Sequence, residues 1–202
     1  MKALLPQGLH YLPELFSRQE QERLIQIVRA GVKSAPFYQP KMPRTGQPTS
    51  VIMSNFGSLG WISEQSGYRY DPLHPKTGKP WPKIPPELLK LWDEVANWPA
   101  PPQACLINWY REGSRLGLHV DADEAAKDAP VVSISLGDQA LYRIGGPNRS
   151  DPTCSFKLHS GDVLVLGGYA RHCFHGIDKI YPGTSSLVPK GGRINLTLRV
   201  VR

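Results

Sequence analysis

"RINLTLRV", residues 193–200, decides how this chain folds. Arg193, Asn195, Thr197 and Arg199 stand two apart, and so do Ile194, Leu196, Leu198 and Val200. A strand turns that spacing into two faces, because its side chains alternate between sides. One face is oily and reads as core. The other carries two arginines and calls for an anion. The runs before it have the same character: CLINWY (105–110), LGLHVD (116–121), VVSISL (131–136), ALYRIG (140–145), SFKLH (155–159), DVLVLGG (162–168) and HCFHGI (172–177). Turn-forming stretches such as GGPNRSDP (145–152) separate them. Short strands at this spacing predict a sandwich or barrel.

The first half reads differently. FSRQEQERLIQIVRAGV (16–32) predicts a helix, with Ser17 and Glu20 as a capping box and Gly31 as its stop. PELLKLWDEVANW (86–98) predicts a second, with proline in its first turn and Leu88, Leu89, Leu91, Trp92 and Val95 facing inward. PTSVIMSNFGSLGWI (48–62) reads as a strand and a turn, and PLHPKTGKPWPKIPP (72–86) as irregular. The expectation is one domain over 1–202. Residues 1–100 would supply helices and a lid, and 101–202 a catalytic core.

The chain has 202 residues, enough for a substantial core. Its 20 prolines and 19 glycines are spread out, which indicates turns rather than disorder. No apolar run reaches the length of a membrane helix, and the N-terminus lacks the form of a signal peptide. No membrane partner is expected from that hydropathy, and Cys105, Cys154 and Cys173, odd in number and without CxxC spacing, point to a reducing cytoplasm rather than a disulfide scaffold. The net charge is +7 and uneven. Residues 1–50 hold 7 Lys/Arg against 3 Asp/Glu, and residues 171–202 hold 6 against 1. Residues 51–170 hold 11 against 13. Basic ends around a mildly acidic middle suit a nucleic-acid binder, and equally a soluble protein that is merely basic.

In LHVD, His119 and Asp121 point the same way from a strand. A further histidine would complete two His and one carboxylate, the facial set that leaves open positions on iron(II). His159, His172 and His175 are the candidates. Read as a strand, RHCFHG (171–176) sends His172 and His175 to opposite sides. His175 is preferred because Gly176 would let the strand end at a pocket mouth. His172 then lies at the surface or behind the ligands, and His159 in a solvent-facing turn. Zinc held by His172, Cys173 and His175 is the alternative, but it lacks a second pair of ligands. An open iron site needs an electron-donating co-substrate. 2-Oxoglutarate carries a carboxylate at each end, and an arginine grips a carboxylate in two-pronged geometry. Arg193 and Arg199 are roughly 20 Å apart along an extended strand, so each takes one end.

These motifs together resemble the AlkB family of iron(II)/2-oxoglutarate-dependent nucleic-acid dealkylases, and in particular its bacterial DNA-repair members. The resemblance runs from about Thr49 to Arg199 and rests on NWY (108–110), LHVDADE (118–124), FHG (174–176) and RINLTLR (193–199). It implies a mainly β, α+β chain: a double-stranded β-helix (jelly-roll) core, N-terminal helices and a nucleotide-recognition lid. It implies that Fe(II) is held by His119, Asp121 and His175, which are thereby the catalytic residues. It implies that Asn108, Tyr110, Arg193, Asn195, Thr197 and Arg199 hold 2-oxoglutarate. Arg193 with Tyr110 would take the C5 carboxylate, and Arg199 would lie nearer C1.

The stretch GWISEQSGYRYDP (60–72) resembles the family's lid, placing Trp61, Tyr68 and Tyr70 near a flipped base and its backbone. Asp123 would accept from an exocyclic amine and balance a cationic base, which Trp61 could also attract. Arg149 matches a substrate-contacting arginine. Met53 is assigned to the pocket lining or, equally, to the core. The implied reaction consumes O2 and 2-oxoglutarate and removes alkyl groups from bases such as 1-methyladenine and 3-methylcytosine. The implied partner is DNA, single-stranded or with a flipped base, or RNA, met by a monomer. The basic loop 33–50 is assigned to backbone phosphate. The alternative is a 2-oxoglutarate-dependent hydroxylase of a protein or small molecule.

Overall fold

The structure, a computed structural model, describes residues 5–202. The first half contributes β1 (Leu9–Leu12), α1 (Arg18–Ser34), β2 (Ile52–Gly57), the hairpin β3 (Gly60–Glu64) and β4 (Gly67–Asp71), and α2 (Pro86–Val95). The second contributes β5 (Ala104–Tyr110), β6 (Leu116–His119), β7 (Val131–Gly137), β8 (Gln139–Ile144), β9 (Cys154–Leu158), β10 (Val163–Leu166), β11 (His175–Tyr181) and β12 (Arg193–Arg199). A six-stranded sheet runs β1-β10-β7-β12-β5-β2 and a four-stranded sheet β6-β11-β8-β9, with every pairing antiparallel. The two face each other as the expected jelly roll. β1 and β2, from the first hundred residues, are strands of the larger sheet.

β12 lies between β7 and β5, and every residue of it is buried. Its oily face is core, and the structure shows which core. Ile194, Leu196 and Leu198 pack outward with Leu24, Ile25 and Val28 of α1 and Leu88, Leu91 and Trp92 of α2. The space between the sheets is filled by Leu106, Val131, Leu164 and Leu166 from one side and Ala140, Tyr142, Ile144 and Ile177 from the other. Arg193, Asn195, Thr197 and Arg199 share the inner face with these residues, since alternate residues share a face. The polar row is therefore inside the sandwich.

Three local expectations change. Gly31 does not stop the first helix; α1 runs on to Ser34, and the capping box at its start is present. A Cβ on Gly31 would lie 2.2 Å from the Phe56 ring, so this glycine serves close packing of α1 on β2. Gly176 does not end a strand; it is the second residue of β11. A Cβ there would meet the Leu116 carbonyl oxygen at 2.5 Å, so Gly176 lets β11 approach β6. RHCFHG is not one strand. A 3₁₀ turn spans Gly168–His172, and β11 begins at His175.

Candidate metal and dicarboxylate site

The antiparallel pairing of β6 with β11 sets His119 opposite His175. Asp121 follows just after β6 ends. The ligand atoms of His119, Asp121 and His175 lie within 4.8 Å of one another, and among the described residues this is the grouping able to hold a metal ion. His119 Nε2 stands 3.6 Å and His175 Nε2 3.9 Å from the Asp121 carboxylate. Each Nδ1 is spoken for: His119 Nδ1 lies 2.9 Å from the Gly117 carbonyl and His175 Nδ1 3.1 Å from that of Cys173. In the tautomer that donates from Nδ1, both Nε2 lone pairs are free for a metal. His159 and His172 are exposed and stand apart from this cluster.

Electrostatics favour the ligating protonation states. Burial raises the Asp121 carboxyl, but Arg199, His175 and His119 outweigh it and hold the group well below the usual carboxylate range. Burial, with His119 adding to it, lowers His175 to about 4, so its imidazole is neutral near pH 7.

Beyond the cluster, the pocket is lined by Asn108 and Tyr110 of β5 and by Arg193, Asn195, Thr197 and Arg199 of β12. The register explains their company: Arg193 is the cross-strand partner of Tyr110, and Asn195 of Asn108. Arg193 donates from Nη2 to Ser135 Oγ at 2.9 Å and lies 5.2 Å over the Tyr110 ring. Its Nε and Nη1 are buried with no partner, and so is Asn108 Oδ1. A buried guanidinium short of acceptors is costly by itself. Arg193 is thus set to receive an anion. Asn195 and Thr197 are tied together, with the Thr197 hydroxyl donating to Asn195 Oδ1 at 2.9 Å and Asn195 Nδ2 to Ser133 Oγ at 2.8 Å.

Arg199 is engaged differently. It donates to the Asp121 carboxylate at 2.8 Å and to Glu124 at 3.1 Å. Arg171 reaches the same place from the 3₁₀ turn, donating to Glu124 at 3.0 Å, to the Ala129 carbonyl at 2.9 Å and to the backbone carbonyl of Asp121. These contacts fix the segment after β6 that carries Asp121. The donor set (two imidazoles, one carboxylate and an acceptor-poor arginine beyond them) fits a divalent iron with a dicarboxylate co-ligand.

The β3–β4 hairpin brings Trp61 and Tyr68 into a stack with ring centroids 5.3 Å apart. The Trp61 indole donates to Asp123 Oδ2 at 2.7 Å, and Tyr68 is 54% exposed. Tyr70, expected beside the base, turns inward, and its hydroxyl donates to Glu124. Met53 is buried in the inter-sheet core. Arg149 is exposed, donates to the Leu118 carbonyl at 2.7 Å and lies 5.5 Å over the Phe174 ring. Sequence reasoning gave no role to Glu124, Arg171, Ser133, Ser135 or Tyr142. Glu124 stood inside the LHVDADE run, but its partners lie 47 to 75 residues away and leave no local signal.

The sequence profile of the 2OG-Fe(II) oxygenase superfamily matches residues 8–199. The chain is 54% identical over 195 residues to an alpha-ketoglutarate-dependent dioxygenase AlkB homolog of Caulobacter vibrioides, covering 96% of this chain and 88% of that one. It is 41% identical over 182 residues to the alpha-ketoglutarate-dependent dioxygenase AlkB of Escherichia coli, covering 88% and 83%. The solved structure of OsALKBH1 superposes with a TM-score of 0.82 at 31% identity, over 97% of this chain and 99% of that one.

Proposed function

The chain belongs to the 2OG-Fe(II) oxygenase superfamily, and from that membership we propose that it oxidatively removes alkyl groups from base nitrogens of DNA or RNA, with single-stranded or flipped 1-methyladenine and 3-methylcytosine as substrates. The observation that carries this reading is that one short segment, Asp121 to Asp123, takes part in two sets of residues. His119, Asp121 and His175 stand within 4.8 Å of one another. Two residues beyond Asp121, Asp123 accepts from Trp61, which stacks with Tyr68, an aromatic and anionic group.

With iron(II), O2 and 2-oxoglutarate bound, the site supplies the oxidation that yields succinate and CO2 and releases an N-methyl group as formaldehyde. His119 and His175 hold the metal through Nε2, and Asp121 through its carboxylate. Arg193 and Tyr110 grip the distal carboxylate of 2-oxoglutarate, with Asn108, Asn195, Thr197 and Arg199 along its length. Trp61 and Tyr68 stack on the extruded base. The Asp123 carboxylate balances the positive charge that N-alkylation places on adenine or cytosine. Arg149, braced on the Leu118 carbonyl, meets the strand beside the ligand His119. A cationic base pairs badly, so drawing it from the stack costs less than for a normal base.

The test is reconstitution with iron(II) and 2-oxoglutarate under nitrogen, then air and a single-stranded oligonucleotide carrying one 1-methyladenine. The readout is the mass of the oligonucleotide. The wild type should lose the methyl group and His119→Ala should not. Succinate without methyl loss would keep the oxygenase and move the substrate to a protein or small molecule.

A further inference from the structure

Tyr142 is the one residue of the pocket wall whose hydroxyl has neither solvent nor partner. It sits on β8, pointing between the sheets with Ala140 and Ile144. Phe156 packs against one side of its ring with centroids 5.4 Å apart. On another, the His175 ring lies 6.0 Å away and only 29° from parallel. The residue is 5% exposed and lines the same pocket as Tyr110, Arg193 and the metal cluster. Its hydroxyl is buried with no hydrogen-bond partner. A phenol core residue with an idle hydroxyl costs about 1–3 kcal/mol relative to a satisfied one. Phenylalanine would fill the same space without that cost.

A phenol hydroxyl can donate or accept, and an anionic ligand in this pocket would engage it as a donor. Arg193 Nε and Nη1 are also unpartnered donors in this pocket. Among the unpartnered buried atoms of this pocket, the Tyr142 hydroxyl and the donors Arg193 Nε, Arg193 Nη1 and Arg199 Nε outnumber the single acceptor, Asn108 Oδ1, an imbalance that a bound carboxylate would redress. We infer that Tyr142 is a positioning residue for the co-substrate: its hydroxyl donates to the distal carboxylate of the 2-oxo dicarboxylate, beside Arg193, and helps select a keto acid that carries that second charge. The inference rests on the 2-oxoglutarate reading above and extends it to a residue outside the sequence motifs.

The test compares two ligands on zinc-loaded protein by isothermal titration, where no turnover occurs. One is 2-oxoglutarate. The other is 2-oxopentanoate, which has the same keto-acid head and a methyl group in place of the distal carboxylate. Tyr142→Phe should weaken 2-oxoglutarate about tenfold, as loss of one hydrogen bond to a charged group would. It should leave 2-oxopentanoate within about twofold, well under the 1.4 kcal/mol of a tenfold change. The unliganded variant should be no less stable to heat than the wild type. Unchanged 2-oxoglutarate affinity, or equal losses for both ligands, would overturn the assignment. A wild type that fails to bind 2-oxoglutarate would bring down the functional reading and this inference with it. A wild type that binds beside an unaffected variant removes only the role of Tyr142.

Discussion

At Glu124 one buried carboxylate stands between two guanidiniums, Arg171 at 3.0 Å and Arg199 at 3.1 Å, with its side chain closed to solvent. Tyr70 of the lid hairpin donates to the same carboxylate. Removing one partner of a buried ion cluster leaves uncompensated charge, which typically costs 3–5 kcal/mol. Glu124→Gln keeps the shape and loses the charge, so urea unfolding should show a loss of about 3 kcal/mol or more. A loss below about 1 kcal/mol, the level of an exposed pair, would mean that the cluster is solvated in solution. This residue also marks what the sequence could not reveal. His119 and Asp121 were legible from their two-residue spacing, which brings them together even though β6 ends at His119 and Asp121 lies in the segment just after it. The environment of Glu124 is assembled from the lid, the 3₁₀ turn and the last strand, and no spacing records such a meeting.

At the scale of elements, β12 was readable in full because its alternation is strict, and α1 because capping box and apolar stripe agree. β1 was not. LHYL is four residues long, and what makes it a strand is pairing with β10 some 150 residues later, from Leu9 opposite Leu166 to Leu12 opposite Val163. The end of α1 was misread for a related reason: Gly31 looks like a stop, and only the Phe56 ring across from it explains the missing side chain. That contact gives a prediction with a contested sign. Alanine inside a helix normally stabilises by about 1 kcal/mol over glycine. Here its Cβ would meet the buried Phe56 ring at 2.2 Å, and overpacking costs about 1–3 kcal/mol. Gly31→Ala should therefore lower the melting temperature. Combined with Phe56→Leu it should cost less than the sum of the two single changes, because the ring that clashes is gone. A stabilised single variant would show slack between α1 and β2.

At the scale of the molecule, the site is a shared boundary rather than a feature of one sheet. His119 and His175 come from the four-stranded sheet, and Asn108, Tyr110, Arg193 and Arg199 from the six-stranded one. The larger sheet is braced on its far side by α1 and α2. The smaller sheet turns exposed residues such as Ser155, Lys157 and Lys179 outward and has the inter-sheet space as its core. A metal on the two histidines and a dicarboxylate running to Arg193 would add a further tie between the sheets to the packing already between them. A ligand that binds only the folded state stabilises it by RT ln(1 + [L]/Kd), about 2.7 kcal/mol at a hundredfold excess over Kd. For a chain of this size that raises the melting temperature by roughly 5–10 °C. Because both sheets contribute, calorimetry of the zinc protein with 2-oxoglutarate should show one transition that moves upward as a whole. With zinc and 2-oxopentanoate at the same concentration, the rise should be smaller, since nothing then reaches Arg193. Two transitions, with only one moved by the ligand, would mean that the sheets unfold separately and that the site belongs to one of them.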